Sequence, residues 1–390
     1  MPNARPKLLS KCFILVFLAS LGLNLCQNIL NNSVTLYVTS LGRSTGFAGF
    51  LGIPYAVMAI LMRFVGGDWV DRRSRRSLLA FGCFGFAASA LLFGLLPAAV
   101  CLAALRAVHG LCFSAGQLAG STINVDVTPP ERQRLGIGIY WVSSAISLGC
   151  AGYCVTLLTS GGSYGPVFWT CAAAAGAAGM CALLCDYEKK RPAAPSHEAA
   201  DKASGLRRFV EPAALRPAAL MFLMAAAISC ISLYVLMFAQ QEGYENAGLT
   251  LVFATIGMAA GNLTSDFFQR KLGAMWTLAA SFVLCAAGLA AMALFRCMAT
   301  YLIGGAAYGF IQGICMPVLY YLAVHKMPVH RRGVAGGTVY CLLDLGVGAG
   351  SFLWGVVIGA FGFTATFLSA AALLVLAAAL SLAFYCRDPQ

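Results

Sequence analysis

Charged residues are scarce in this sequence of 390 residues, because Asp, Glu, Lys and Arg together make up only 10% of it. Soluble proteins carry roughly 25% of such residues. The hydrophobic fraction is 60% and the mean hydropathy is +0.81. This shortage of charge excludes a string of soluble domains and predicts an all-α integral membrane protein. A β-barrel is not indicated, since it would show short alternating segments instead of long apolar runs.

The sequence also has few acidic residues, 14 in all, and lacks the cysteine and metal-ligand spacings of a disulfide framework or a metal site. The 16 cysteines lie almost entirely inside apolar runs, where Cys behaves as a small hydrophobic residue. No spacing typical of a metal site is present, and nothing points to a cofactor. The net charge of +12 does not indicate nucleic-acid binding, because the basic residues lie between the apolar runs.

Twelve apolar runs are present, each of about 20 residues and long enough to cross roughly 30 Å of hydrocarbon. They lie at about 13–38, 46–66, 77–97, 99–124, 136–158, 164–186, 217–240, 247–268, 273–295, 299–324, 334–358 and 362–386. The first run is interpreted as a span, not as a removed signal peptide, because no cleavage site is apparent. A polar segment divides the series, and predicts a six-helix bundle at 1–186, a cytoplasmic linker at 187–216 and a second bundle at 217–390.

The basic residues predict the orientation of the spans. Of the 26 Lys and Arg residues, 22 fall in segments that lie on one side when the N-terminus is cytoplasmic. Only Arg43 and Arg296 fall in the opposite loops, while Arg63 and Arg106 lie within spans. The positive-inside rule therefore predicts a cell inner or plasma membrane protein with both termini in the cytoplasm.

An internal repeat relates the two predicted bundles. A shift of 198 positions aligns Pro130, Arg134, Gly138 and Gly152 with Pro328, Arg332, Gly336 and Gly350. Two parallel six-span repeats predict a pseudo-twofold axis along the membrane normal and a site between the halves near the midplane.

The most highly charged stretch lies between the second and third spans. It reads Gly67-Asp68-Trp69-Val70-Asp71-Arg72-Arg73-Ser74-Arg75-Arg76. This stretch resembles the loop signature G-x-x-x-D-R-x-G-R-R of the major facilitator superfamily, with Ser74 in place of the second glycine. The run from Arg106 to His109 and Gly110 resembles the R-x-x-Q/H-G motif of the family's fourth span. The resemblance covers the whole chain and is closest to bacterial sugar and drug exporters.

The resemblance implies a conformational latch on the cytoplasmic side. In the family the carboxylate at Asp71 faces the N-terminus of span eleven, where a helix dipole favours a negative charge. Arg75 is expected to pair with Asp126, and Arg63 to brace the same region. The predicted latch residues are Gly67, Asp71, Arg72, Arg75, Arg76, Asp126 and Arg63. The alternative is a basic loop that serves only to orient the chain.

A polar stripe on span one predicts one wall of a central cavity. Asn24, Gln27, Asn28 and Asn31 fall at positions i, i+3, i+4 and i+7 of a helix. Amides facing lipid would be costly, so these side chains face protein or water. The alternative is hydrogen bonding between helices. Weaker candidates for the same cavity are Ser229, Ser232, Tyr308 and Gln312.

Ionisable residues deep in spans mark functional positions. Asp344 is the one acid well inside a span, roughly 15 Å from its start, and is predicted to couple protons or bind a cationic substrate. A permanent ion pair with an arginine is the alternative. Arg106 is expected to bind an anion, tune Asp344 or cap backbone carbonyls. His109 is expected to relay protons or to pack as a hydrogen-bonded residue.

These features predict a secondary transporter that works by alternating access and exports a small organic molecule in exchange for protons that enter the cell. The family's antiporter motif G-x-x-x-G-P lacks its proline here, where the run ends in Gly152-Tyr153, so symport and uniport stay open. Uptake of a sugar or metabolite is the alternative. A non-transporting sensor would need a larger polar domain, and an enzyme would need a paired catalytic set. A monomer in the bilayer suffices for transport.

Overall fold

A computed structural model describes residues 9–43, 47, 50–72, 74–186, 209–244 and 248–387. Several predicted features fall outside these residues. Arg73 and most of the predicted linker, 187–208, are among them, as are the side chains of Asp71 and Arg72.

Every regular element in the described ranges is a helix, and no strand occurs there. Hydrocarbon offers the backbone no hydrogen-bond partners, so long apolar runs fold as helices. In chain order they are α1 Lys11–Ser40, α2 Gly52–Arg72, α3 Arg75–Leu95, α4 Ala99–Val127, α5 Gln133–Thr159, α6 Gly165–Leu183, α7 Leu215–Gln241, α8 Leu249–Leu272, α9 Ala274–Phe295, α10 Met298–Val324 and α11 Arg332–Arg387. The predicted all-α membrane class is confirmed.

The number of spans depends on two interrupted helices. Ten described helices are long and apolar enough to cross a membrane, and α5 adds an eleventh if its two parts, bent by 42°, form one span. Helix α11 has 56 residues, which at 1.5 Å per residue is roughly 84 Å, far beyond the thickness of a bilayer core. It breaks at Gly362, whose φ of +77° is outside the helical region. The total of twelve spans stays a prediction.

The chain forms two compact units. The first comprises Met1–Gly136, Ile146–Pro212 and Met327–Thr338, and the second comprises Ile137–Ala145, Ala213–Lys326 and Val339–Gln390. The predicted bundle boundaries stay a prediction, and the units differ from them in two segments. Part of α5 belongs to the second unit, and the start of α11 belongs to the first.

Each unit is built around one glycine-rich helix. In the first unit α4 packs against α1, α2 and α3, and in the second α10 packs against α7, α8 and α9. A Cβ atom at Gly110 of α4 would overlap the backbone of Tyr55 in α2, and one at Gly309 of α10 would overlap Ala254 in α8. Small residues allow such close approach in membranes. Gly110 therefore brings α2 against the polar residues of α4.

We expect Gly110→Ala to lower the apparent melting temperature of the detergent-purified protein. The added methyl group meets the Tyr55 backbone, and overpacking of this kind costs about 1–3 kcal/mol. The matched control is Gly176→Ala in α6, because a Cβ atom there meets open space. The control should melt at or above the wild-type temperature, since Ala favours helix over Gly. Equal melting temperatures for the two variants would contradict this packing argument.

Candidate functional site

The polar stripe of α1 faces the neighbouring helices of the first unit. Gln27 is buried and its Nε2 donates to Tyr55 Oη of α2 at 2.7 Å. Asn31, which is exposed, accepts a hydrogen bond from Arg106 of α4 at 3.1 Å. Asn24 is buried and donates to Ser20 within its own helix at 2.9 Å, and Asn28 is half-buried. Two of the four predicted cavity residues therefore meet other helices.

Arg106 is buried among neutral groups, with a side chain only 6% exposed. Its Nη2 donates to Asn31 Oδ1, and its Nε lies 3.5 Å from the backbone oxygen of Leu51. The guanidinium carbon lies 4.7 Å from the centre of the Tyr55 ring, a cation–π arrangement. We call Gln27, Asn31, Tyr55 and Arg106 the α1–α2–α4 polar cluster.

His109 lies one helical turn from Arg106 and is fully buried. Its ring is stacked between Phe86, at 4.8 Å, and Phe93, at 5.7 Å. Within the described part of the chain neither ring nitrogen has a hydrogen-bond partner. This placement favours packing over proton relay. No three His, Cys, Asp or Glu side chains among the described residues gather as metal ligands.

The second unit brings three predicted cavity residues together. Tyr308 of α10 is buried, and the side chains of Gln312 of the same helix and Ser232 of α7 lie close to its hydroxyl group. Ser232 also donates to Ser229 at 3.2 Å, and Ser229 donates to the Ala226 backbone at 2.7 Å. These hydroxyl and amide groups form a neutral hydrogen-bonding patch.

Asp344 is half-buried in α11, roughly 18 Å from the start of that helix. Tyr340, one turn earlier on the same face, belongs to an aromatic cluster of the second unit. Its ring lies 5.5 Å from Tyr320 of α10 and 6.2 Å from Trp141 of α5, which in turn lies 6.2 Å from Tyr140. Asp344 therefore lies one helical turn from a member of this aromatic cluster.

The charged loop meets the start of α11 at Gly67. A Cβ atom on Gly67 would lie 2.8 Å from the Cα of Val334 and 2.9 Å from the oxygen of Gly333. The side chains of Asp71 and Arg72 are outside the described residues, so their predicted roles rest on the sequence alone.

Asp126, in the last turn of α4, forms ion pairs with two arginines of the first unit. It forms an ion pair with Arg75 of α3 and a second with Arg332 of α11, whose Nη1 lies 2.6 Å from Oδ1. The side chains of Arg75 and Asp126 are 0% and 6% exposed. Arg75 also donates to the backbone oxygen of Val329 at 2.5 Å. The expected pairing of Arg75 with Asp126 is present, and Arg332 extends it.

Helix dipoles explain why these three residues need each other. Asp126 lies in the last turn of α4, where the dipole disfavours a negative charge. Arg75 and Arg332 each begin a helix, where a positive charge is disfavoured. Each group is therefore unfavourable on its own helix, and the ion pairs compensate all three.

Two other predicted latch residues have different surroundings. Arg63 is buried in α2 and donates to Gln117 of α4 at 2.9 Å. Arg76 is partly exposed, lies 4.0 Å from the exposed Asp186 and donates to the Leu183 backbone. Arg63 thus braces two helices, whereas the Arg76 pair is a weak surface contact.

The end of the predicted linker is attached to α11. Glu211 accepts two hydrogen bonds from Arg331, at 2.7 and 3.0 Å, and its backbone N–H donates to Thr338 at 3.0 Å. The Phe209 ring stacks on Phe64 of α2 at 5.3 Å. These contacts are not predictable from the sequence, because the composition of a polar segment does not indicate which residues it contacts.

Long apolar helices with buried polar and charged groups between them define a polytopic membrane protein. The sequence profile of the Major Facilitator Superfamily matches residues 12–346 and 246–390. The chain belongs to that family, whose members are multi-pass membrane transporters of small molecules rather than enzymes.

Curated relatives share parts of the sequence. An uncharacterised MFS-type transporter of Burkholderia mallei (strain SAVP1) is 31% identical over 167 residues, which is 43% of this chain and 41% of the relative. The uncharacterised MFS-type transporter YttB of Bacillus subtilis (strain 168) is 30% identical over 130 residues, or 33% of this chain and 32% of the relative. The match therefore spans about two fifths of the first of these relatives.

Solved structures share the fold across nearly the whole chain. The human organic anion transporter MFSD10 (TETRAN) aligns with a TM-score of 0.78 at 16% identity, covering 98% of this chain and 100% of that one. The Escherichia coli fucose:proton symporter FucP aligns with a TM-score of 0.74 at 13% identity, covering 95% and 97%. At these identities the likeness establishes the fold alone.

We expect Asp126→Asn to destabilise the protein by about 3–5 kcal/mol, because it leaves two arginines without their carboxylate in a buried site. The measurement is the apparent melting temperature in detergent. The matched control is Asp186→Asn, whose arginine partner is 4.0 Å away and whose side chain is 58% exposed. A surface pair of this kind contributes about 0–1 kcal/mol. A similar melting temperature for both variants would show that Asp126 is not the centre of the ion cluster.

Proposed function

We propose that this chain is a secondary active transporter that exports a small organic molecule in exchange for protons by alternating access. The observation that carries the proposal is Asp344, an acid inside a membrane helix beside the Tyr340 aromatic cluster. Acids at this depth are costly and mark ion or proton pathways.

Asp344 would act as the coupling group. Its carboxylate is costly within hydrocarbon when charged and much less so when protonated. Proton binding therefore changes the free energy of any state in which Asp344 is shielded from water.

The ion cluster at Asp126 would set the conformational equilibrium. Its three residues come from α3, α4 and the start of α11, and each is unfavourable without the others. A movement that separates the start of α11 from α4 breaks the Arg332–Asp126 ion pair, and it also removes the Val329 backbone oxygen from Arg75. The cluster would thus favour one conformation of the transport cycle until the free energy of substrate or proton binding offsets the loss of these contacts. Asp71, Arg72 and Arg76 would help this cluster to stabilise the same conformation. In the proposed orientation both termini lie in the cytoplasm.

Uptake of a sugar or another metabolite is the second candidate. It is favoured by the neutral patch of Tyr308, Gln312 and Ser232, since hydroxyl and amide groups suit the hydroxyls of a sugar. The fold is also shared by a fucose:proton and a xylose:proton symporter. In export by exchange the substrate and the proton move in opposite directions, whereas in proton-coupled uptake they move in the same direction.

The test is proton flux in proteoliposomes with an imposed pH gradient, across a panel of drugs and sugars. For the wild type we expect at least one substrate to dissipate the pH gradient, with protons and substrate moving in opposite directions. We expect Asp344→Asn to reduce this substrate-driven flux to background, because the neutral amide cannot release a proton. Asp344→Glu, which retains a carboxyl group, should keep part of the flux.

Gel filtration and melting temperatures establish that each variant is folded before flux is compared. Glu242→Gln is the control for losing one acid, since Glu242 lies at the outer end of α7 beside Arg296. Substrate movement without proton movement would overturn the antiport mechanism. Proton movement in the same direction as the substrate would favour the uptake alternative instead.

A further inference from the structure

The guanidinium of Arg106 is a buried cation, and the partners that the structure describes for it are neutral. Its described partners are an amide oxygen of Asn31, a backbone oxygen of Leu51 and the ring of Tyr55. Among the residues that the structure describes, no carboxylate forms an ion pair with it. A buried charge without a counter-ion is costly, and natural proteins retain one where function requires it.

Two polar atoms of the α1–α2–α4 polar cluster have no hydrogen-bond partner within the described part of the chain. They are Nη1 of Arg106 and Oε1 of Gln27, in side chains that are 6% and 5% exposed. The Tyr55 hydroxyl can donate or accept, so the Gln27 amide can also turn and present its N–H₂ group. In either orientation a charged donor and one amide group of Gln27 stay available to a ligand.

The cluster lies in the outer half of its helices and is reached past exposed polar groups. Arg106 is roughly 10 Å from the start of α4, and Asn31 is roughly 13 Å from the end of α1. Asn31 and Asn32 are exposed, and Tyr55 is half-buried. Amides exposed at this depth to lipid would be costly, which indicates that this side of α1 borders water.

The charge of the cluster selects the class of ligand. One guanidinium neutralises one negative charge, and its fork of N–H groups matches the two oxygens of a carboxylate. A dianionic phosphate would leave one charge uncompensated in an apolar setting, since the cluster holds a single cation. The Gln27 amide adds a hydrogen bond to a polar group beside the carboxylate.

We propose that the α1–α2–α4 polar cluster binds the carboxylate of the transported molecule, which is therefore an organic monocarboxylate. This inference rests on the proposed transport function and names the substrate class for it. In this assignment Arg106 holds the carboxylate, Asn31 and the Tyr55 ring orient the guanidinium, and Gln27 contacts the rest of the molecule.

Binding is tested on the full-length protein in detergent by titration against its melting temperature. The probes are benzoate, octanoate and gluconate, each beside its neutral counterpart benzamide, octanamide or glucose, at constant ionic strength and pH. We expect at least one carboxylate, and not its counterpart, to raise the melting temperature. We expect Arg106→Gln to raise the dissociation constant at least about tenfold, because a hydrogen-bonded charge pair is lost. Arg106→Lys should keep part of the affinity.

Two measurements separate binding from a structural role. Arg296→Gln, in the outer loop and 52% exposed, is the control for losing one positive charge and should bind carboxylate as the wild type does. Without ligand, Arg106→Gln should melt at or above the wild-type temperature, because it removes an uncompensated buried charge. A lower melting temperature would assign Arg106 to structure and overturn the proposal.

The remaining outcomes distinguish this inference from the transport function. If no carboxylate stabilises the wild type, or if Arg106→Gln binds carboxylate equally well, the substrate class is wrong. Transport of a neutral or cationic molecule that is unaffected by Arg106→Gln would overturn the inference and leave the transport function standing. Carboxylate binding by a protein that moves nothing across proteoliposomes would support the site and overturn the transport function.

Discussion

A charge placed in hydrocarbon needs an opposite charge, a hydrogen-bond partner or water, and this requirement arranges the whole molecule. It confines most of the 26 basic and 14 acidic residues to the ends of helices and to loops. It also makes the few charges within the helices informative. Each of these charges is either stabilised by an opposite charge or is buried at a cost in free energy.

Asp126 and Arg106 illustrate the two outcomes on the same helix, α4. Asp126 is held by two arginines, and the three charges offset one another. Arg106 is equally buried, and its partners among the described residues are an amide, a backbone oxygen and an aromatic ring. The first arrangement stabilises a conformation. The second is costly in isolation, and stability exchanged for binding is a recurrent property of functional sites.

The sequence predicts well those features that depend on composition and periodicity. The apolar runs gave the all-α membrane class, and the helical spacing of the α1 amides placed Gln27 and Asn31 towards other helices. The expected pair of Arg75 and Asp126 came from the family motif, and it is present. In each case the signal is local, because it lies within one helix or one loop.

The remaining features depend on which helix lies beside which, and composition does not encode this. Tyr55 and Glu211 gave no signal, although one lies over Arg106 and the other is fixed to Arg331. The repeat aligned Arg332 with Arg134, yet only the packing of α11 showed its partner to be Asp126. The apolar runs alone also do not predict that part of α5 belongs to the second unit and the start of α11 to the first.

The placement of α11 connects these observations. Its first residues belong to the first unit, where Arg332 reaches Asp126, while Asp344 belongs to the second, beside the aromatic cluster. The part of α11 before Gly362 thus carries both Arg332, which belongs to the ion cluster, and Asp344. A helix transmits displacement along its axis because its backbone hydrogen bonds hold its length. Under the proposed transport mechanism, a displacement of α11 would act both on Asp344 and on the Arg332–Asp126 ion pair.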